Sequence, residues 1–412
     1  MMQNAPRGMR LHIGLFGRRN VGKSSLLNAI THQHVSIVSD LAGTTTDPVE
    51  KPMELLPVGP VLFIDTAGID DEGVVGTLRV EKTKTVFDRT DLGILVTDGV
   101  WGDYEISIIK EFHHRKTPVI VVINKKDVIN PSPEIFAALE SQKIPFVEAA
   151  AVCGDGILAL RQAIVDQCPP DFIANPDIVG DLIGPGHMAV LVVPIDKEAP
   201  KGRLILPQVQ TIRDLLDNDA YCMVVKEREL RSALDQLKYP PKLIVTDSQA
   251  FLKVAADTPP DIPLTSFSIL FSRFKGDLVS QTLGAMAVDT LKANDRVLIA
   301  EACTHHPIGE DIGRVKIPRW LTQYVGSKLD FTIAAGRDYP SDISSYKLVI
   351  HCGGCSINRR EMLNRILRAK AAGVPITNYG LVIAFSLGIF ERALQPFPAA
   401  YEAYLSARSC PL

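Results

Sequence analysis

Leu11-His-Ile-Gly-Leu-Phe-Gly17-Arg-Arg-Asn-Val-Gly22-Lys23-Ser24 is the stretch whose reading decides the fold of the first part of the chain. Leu11 to Phe16 make an apolar run of strand length. The eight residues from Gly17 fit G-x-x-x-x-G-K-[ST], and a helix is expected from Lys23. Glycines at 17 and 22 let backbone N–H groups wrap phosphates at a helix N-terminus, where partial positive charge collects. In this pattern Lys23 reaches the β- and γ-phosphates, Ser24 coordinates Mg²⁺, and Val21 and Ser25 complete the phosphate-binding loop.

Working outward, further apolar runs stand at 61–65 (VLFID), 92–97 (LGILVT) and 118–123 (PVIVVI), separated by helical stretches. Alternation of this kind predicts a parallel α/β sheet. Two of these strands end in motifs that match the loop. Asp65-Thr-Ala-Gly68 places a carboxylate to hold Mg²⁺ through water and a Gly68 N–H to sense the γ-phosphate. Asn124-Lys125-Lys126-Asp127 places a carboxylate that can accept from both N1–H and N2–H of guanine, which adenine cannot supply. Each motif alone also reads as a polar turn after a strand. The three in this order predict GTP as the ligand and a P-loop GTP-binding domain over 1–170, closing near Asp166.

A Pro/Gly-rich linker, CPPDFIANPDIVGDLIGPG, follows. The α/β pattern then restarts over 184–265 with strands AVLVVPID, YCMVVK and KLIVTD, ending near Pro263. It restarts again over 266–412 with strands at 296–301, 330–335, 347–352 and 374–378. The predicted fold class is α/β throughout, in three α/β units, the last built on a parallel sheet. The longest apolar stretch, Tyr379 to Phe390, is too short to span a bilayer and predicts a buried helix. The 412 residues carry a net charge of -3, which gives no basic footprint for nucleic acid. The opening MMQNAPRGMR has no apolar core of a secretory signal, so a cytoplasmic protein without membrane segments is expected.

Seven cysteines at uneven spacing argue against a disulfide framework. Cys352-Gly-Gly-Cys355 follows His351, and Cys303-Thr-His305-His306 follows another strand. If those two strands run parallel in one sheet, Cys303 and Cys352 leave it at the same carboxyl edge, where ligands bind in open α/β sheets. The plain alternative is a cysteine serving as a small apolar residue and a histidine bonded to a backbone carbonyl. Three thiolates with one weaker position fit an iron–sulfur cluster with an exchangeable site, and equally a Cys₃His zinc site. Cys153, Cys168, Cys222 and Cys410 have no such company and read as structural. Lys316 and Arg319 beside Trp320 could steer an anion, whereas Arg359 and Arg360 read as a solvated helix face.

The nucleotide motifs resemble those of the TrmE/Era-like GTPases. Gly43-Thr44-Thr45-Thr46-Asp47 resembles that group's first switch, which implies that Thr45 senses Mg²⁺ and that Thr44 lines the site. Ile69-Asp70 after Gly68 leaves no catalytic glutamine, implying slow hydrolysis. Asn20 is similar to the asparagine that binds K⁺ in potassium-activated members, and Ala150-Ala151 with Gly154 resembles the last base-contacting loop. The whole-chain order, with Cys303-x-His305 and His351-Cys352-x-x-Cys355, resembles the HydF family of GTPases that mature the active-site cluster of FeFe-hydrogenases. That resemblance implies a 4Fe-4S cluster on Cys303, Cys352 and Cys355, with His305 or Glu310 as fourth ligand. It implies a middle dimerisation domain and a likeness to a scaffold that carries the di-iron H-cluster precursor. Radical-SAM hydrogenase maturases would be partners and apo FeFe-hydrogenase the recipient. The competing readings are a ribosome- or tRNA-associated GTPase with a structural zinc, and a metabolic enzyme with a regulatory G domain.

Overall fold

Strand β1 (Leu11–Phe16) is buried along its whole length because its alternate residues feed two layers. Leu11, Ile13 and Leu15 join Leu26, Leu27 and Ile30 on one face, and Phe16 joins Phe87 and Phe112 on the other. A strand covered on both faces has no need of polar alternation, which is why it reads as a continuous apolar run. The computed structural model describes residues 6–31, 48–55, 58–66, 85–173, 177–194, 204–303, 311–336, 338–340 and 342–409. The chain divides into two units, Met1–Pro176 and Asp177–Leu412.

In the first unit β1 is central in a six-stranded sheet with β2 (Val49–Leu55), β3 (Gly59–Asp65), β4 (Leu92–Thr97), β5 (Val119–Ile123) and β6 (Phe146–Glu148), in the order β2-β3-β1-β4-β5-β6. β3, β1, β4, β5 and β6 run parallel. β2 runs antiparallel to β3, so the fully parallel sheet expected from the sequence is corrected to a mixed one. β2 carries Glu50, Lys51, Pro52 and Glu54 and has no apolar run to announce it. Backbone pairing holds it, helped by the buried Lys51 ammonium, which donates to Thr31 Oγ1 (2.6 Å).

The second unit holds two four-stranded parallel sheets. One has β7 (Met188–Val192), β8 (Tyr221–Val225), β9 (Leu243–Thr246) and β10 (Leu264–Ser266) in the order β10-β9-β7-β8. The other has β11 (Arg296–Glu301), β12 (Asp330–Ala335), β13 (Leu348–His351) and β14 (Ile376–Asn378) in the order β12-β11-β13-β14. The boundary expected between residues 265 and 266 falls inside β10. The helix Phe267–Lys275 leaves that strand with Phe267, Ile269, Leu270, Phe271 and Phe274 all buried. Its apolar side chains fill the interior, while Arg273 reaches out to pair with Asp181. Its N-terminus is capped by Ser266 Oγ, which accepts from Ile269 N (3.3 Å). Near its other end, Arg359 donates to Phe274 O (2.6 Å).

The apolar stretch from Tyr379 is a buried helix only as far as Ser386. Gly388, at φ +74°, turns the chain into a second short helix, Phe390–Leu394. Among the described residues no helix is long and apolar enough to cross a membrane.

Candidate functional sites at two sheet edges

The first site gathers at the carboxyl ends of β1, β3 and β5. Asn124 is its hub. Its Nδ2 donates to Val21 O (2.9 Å), and its Oδ1 accepts from Ala151 N (3.1 Å). One buried side chain therefore ties the phosphate loop to the loop containing Ala150 and Ala151. Gly22 is needed for this approach. It sits at φ +94°, and a Cβ there would stand 2.3 Å from Asn124 Nδ2. Lys125 pairs with Asp98 (3.0 Å) and Lys126 with Asp155 (2.7 Å), while Asp127 stays exposed beyond β5.

Lys23, buried at the first turn of the helix Lys23–Thr31, donates to Gly17 O (2.8 Å) and Arg18 O (2.7 Å). Ser24 Oγ donates to Asp65 Oδ2 (2.7 Å), which joins two residues read separately from the sequence as Mg²⁺ ligands. Asp65 Oδ1 is buried without a hydrogen-bond partner, and burial raises its carboxyl pKa against the pull of Ser24 and Lys23. A buried carboxylate oxygen left over beside a serine hydroxyl suits a hard divalent cation. Asn20 is exposed in the left-handed conformation (φ +61°). Thr44, Thr45 and Gly68 lie outside the described residues. Sequence reading missed Arg18, whose guanidinium forks onto the buried Glu105 (2.8 and 3.0 Å). Glu105 in turn accepts from Gly102 N (3.0 Å), fixing the loop to the helix Asp103–His114. Arg18 sits at a free position of the motif, so no local signal pointed to it.

The second site lies at the carboxyl edge of β11 and β13, which are parallel neighbours with Ala300 opposite His351. Cys352 N donates to Ala300 O (2.9 Å), and Ala302 N donates to Cys352 Sγ (3.1 Å). The segments bearing Cys303 and Cys352 thus leave the sheet side by side. Burial pushes the Cys352 thiol up to about 12, with Cys355 and Cys303 adding to the rise. Burial also raises Cys355, against the pull of Lys275.

Lys275, the last residue of the buried helix, gives the cysteine loop its cation. Its ammonium donates to Gly354 O (3.1 Å), Cys355 O (3.2 Å) and Ile357 O (2.7 Å). Burial lowers its pKa to about 8, opposed by the two thiols. The helix Arg359–Ala371 starts directly after the loop, capped by Asn358 Oδ1 accepting from Glu361 N (3.1 Å), and so brings its positive end to the loop. His351 is spent on structure: Nε2 accepts from Arg365 Nη1 (2.9 Å) and Nδ1–H donates to Cys352 O (2.8 Å). Burial and then Arg365 lower its pKa to about 3, so the ring stays neutral. The Tyr379 hydroxyl is buried and, among the described residues, unpartnered. Burial raises its pKa well above 10, with Cys352, Glu301, Asp311 and Cys303 adding to the rise.

Arg359 is half-buried and tied to Phe274 O, which corrects its reading as part of a solvated face. Lys316 donates to Gln249 Oε1 (3.0 Å), Arg319 is exposed, and Trp320 packs against the core. Cys168 is buried and Cys222 half-buried, but Cys153 is exposed, so burial does not explain it. His305, His306, Glu310 and Cys410 lie outside the described residues. Among the described residues no three His, Cys, Asp or Glu are spaced to hold a single metal ion. The chemistry of the set still suits a thiolate-held anionic group: thiols at one edge, a buried cation, a helix N-terminus and an unused hydroxyl. Lys275, Arg365 and Tyr379 were not read as site residues from the sequence. The one available signal was a lysine closing a helix rich in Phe, Ile and Leu.

Comparison with known proteins bears on each part of the chain. Residues 12–125 match the family model of a 50S ribosome-binding GTPase. Residues 178–276 match the hydrogen maturase F dimerization domain and residues 280–396 the hydrogen maturase F tetramerization domain. The tRNA modification GTPase MnmE of Desulfotalea psychrophila is 36% identical over 154 residues, covering 36% of this chain and 32% of that protein. MnmE of Synechococcus sp. (strain JA-2-3B'a(2-13)) is 38% identical over 171 residues, covering 40% and 36%. The chain thus spans about a third of the length of the curated relatives it matches. A solved structure of Era from Aquifex aeolicus is 22% identical, covers 60% of this chain and 99% of its own, and has a TM-score of 0.35. With both hydrogen maturase F domains in tandem behind a GTPase domain, the chain belongs to the hydrogen maturase F (HydF) family.

Proposed function

We propose that the protein is a GTP hydrolase that serves as scaffold and carrier for the di-iron precursor of the hydrogenase H-cluster. The observation that carries the cluster half of this reading is the side-by-side exit of β11 and β13, with Ala302 N–H directed at Cys352 Sγ (3.1 Å). Cys303, Cys352 and Cys355 would hold a 4Fe-4S cluster, with His305 or Glu310 as the fourth ligand. When bound, such a cluster supplies a redox-active anionic site with one exchangeable position. A cluster takes each thiolate through a different iron, so it does not ask three donors to converge on one point. Lys275 and the N-terminus of the helix Arg359–Ala371 offset the negative charge that three thiolates bring. The neutral His351 holds the strand end in place.

In the first unit, Lys23 neutralises β- and γ-phosphate charge, and Ser24, Asp65 and Thr45 hold Mg²⁺. Gly68 N–H senses the γ-phosphate, Asp127 selects guanine, and Ala151, bonded to Asn124, would line the base. Asn20 would help hold K⁺, which takes over the charge-neutralising role where no catalytic glutamine follows Gly68. Hydrolysis is therefore slow and faster in K⁺ than in Na⁺; equal rates in the two salts would remove K⁺ from the scheme. The middle sheet supports homodimerisation. The radical-SAM maturases would load the precursor, and apo FeFe-hydrogenase would receive it.

The deciding experiment is metal analysis with EPR on anaerobically reconstituted, reduced protein beside Cys303→Ala. About four irons per chain, with a signal lost in the variant, supports the carrier. Zinc without iron uptake would replace it with the ribosome- or tRNA-associated GTPase, the reading that the MnmE likeness favours.

A further inference from the structure

We propose that the Tyr379 hydroxyl donates a hydrogen bond to the sulfur-ligated group at Cys303, Cys352 and Cys355, and that residue 313 is glycine to leave room for it. The inference rests on the cluster reading above. Tyr379 is the first residue of the helix that follows β14, so it enters from the same sheet edge as the cysteines. Its direction is set by the cap. Asn378 Oδ1 accepts from Gly380 N (2.7 Å) and from Ser268 Oγ (2.8 Å).

Among the described residues the hydroxyl has no partner, although it is buried. Leaving such a group unpaired is costly, and a phenylalanine would fill the same space without that cost. Among the described residues, Cys352, Glu301, Asp311 and Cys303 are close enough to act on it electrostatically. Glu301 already accepts from Arg314 Nη2 (2.9 Å), and Asp311 from Arg314 N (2.7 Å). Neither carboxylate takes a hydrogen bond from the phenol, and the sulfurs, once ionised by a bound metal, offer it an acceptor.

Gly313 is the independent observation. It lies in the π-helical turn Ile312–Lys316, a local geometry common at functional sites. A Cβ on it would stand 2.2 Å from the Tyr379 hydroxyl and 2.9 Å from Glu301 Oε1. The turn therefore makes way for the hydroxyl rather than for the ring alone. A donor directed at cluster sulfur favours the more negative, reduced state, so it raises the reduction potential.

The test is a potentiometric EPR titration of the full chain, reconstituted anaerobically with iron and sulfide, for wild type, Tyr379→Phe and Gly313→Ala. The expected result is wild-type iron content with a lower midpoint potential in Tyr379→Phe. Gly313→Ala, which displaces the phenol without removing it, should move the midpoint in the same direction. Urea unfolding of metal-free Tyr379→Phe should show stability equal to or above wild type, since only an unpaired group is lost. An unchanged or higher midpoint in an iron-loaded Tyr379→Phe overturns the assignment. Absence of iron from the wild type itself overturns the cluster reading beneath it, and the wild-type sample alone reports that failure.

Discussion

The phosphate loop after β1 and the cysteine loop after β13 occupy the same place in two different sheets, the carboxyl edge of buried parallel strands. They are built in opposite ways. The first draws its phosphate-facing groups from one contiguous stretch, which Asp65, Glu105 and Asn124 then tie to the rest of its own sheet edge. The second takes thiols from two strand ends, a cation from the end of a distant helix and a phenol from the start of another. A contiguous site needs only local geometry. An assembled one depends on the packing of the whole unit, so its integrity and that unit's stability should rise and fall together.

The largest effect that can break this comparison comes from the contiguous site. Lys23→Ala should lower GTP hydrolysis by about 10²–10³-fold, the usual loss of one transition-state charge contact, while iron content is unchanged. Steady-state phosphate release and iron analysis on one preparation check both halves. Lost iron in this variant would mean that the two sites are not built independently.

Next is Lys275→Met. It removes a buried cation from three carbonyls of the cysteine loop, each a charge-assisted bond. The second unit should lose about 2–4 kcal/mol in urea unfolding and hold iron poorly, with GTP hydrolysis unaffected. Wild-type stability and iron retention would return the lysine to a passive role.

An effect smaller per pH unit treats the two units alike. His12 in β1 and His351 in β13 are both buried, with pKa values lowered to about 3. Below about pH 6.5 the unfolded chain protonates these rings while the folded one does not until near pH 3. Stability of the metal-free protein should therefore fall as pH drops through that window, by about 1.4 kcal/mol per pH unit for each ring. Ring proton resonances should show no titration of either histidine between pH 5 and 8. A midpoint near 6.5 for His351 would mean that Arg365 does not hold it as described.

The smallest expected effect is Asn358→Ala, which removes the cap at the helix end facing the cysteine loop. It should cost about 1 kcal/mol in urea unfolding. A larger loss in the iron-loaded protein than in the metal-free one would show that the helix end also serves the bound group.

By itself the sequence determined the parts of this protein whose physics is local. Leu11–Phe16 and Leu92–Thr97 announce themselves because a strand buried on both faces carries apolar residues on both, without polar alternation, His12 and Thr97 being the polar exceptions. Gly17 to Ser24, Asp65 and Asn124–Asp127 are legible because phosphate, metal and base each require fixed residue types at fixed spacing. Tertiary structure alone decided the rest. β2 joins the first sheet through backbone hydrogen bonds, which leave no mark on side-chain pattern. Arg359 looked solvated because its partner, Phe274 O, lies far away in sequence. Lys275 and Tyr379 are ordinary residues on helices until folding carries an ammonium and an unpaired hydroxyl to the cysteine edge. Burial and long-range charge are properties of neighbours in space, and a one-dimensional pattern does not contain them.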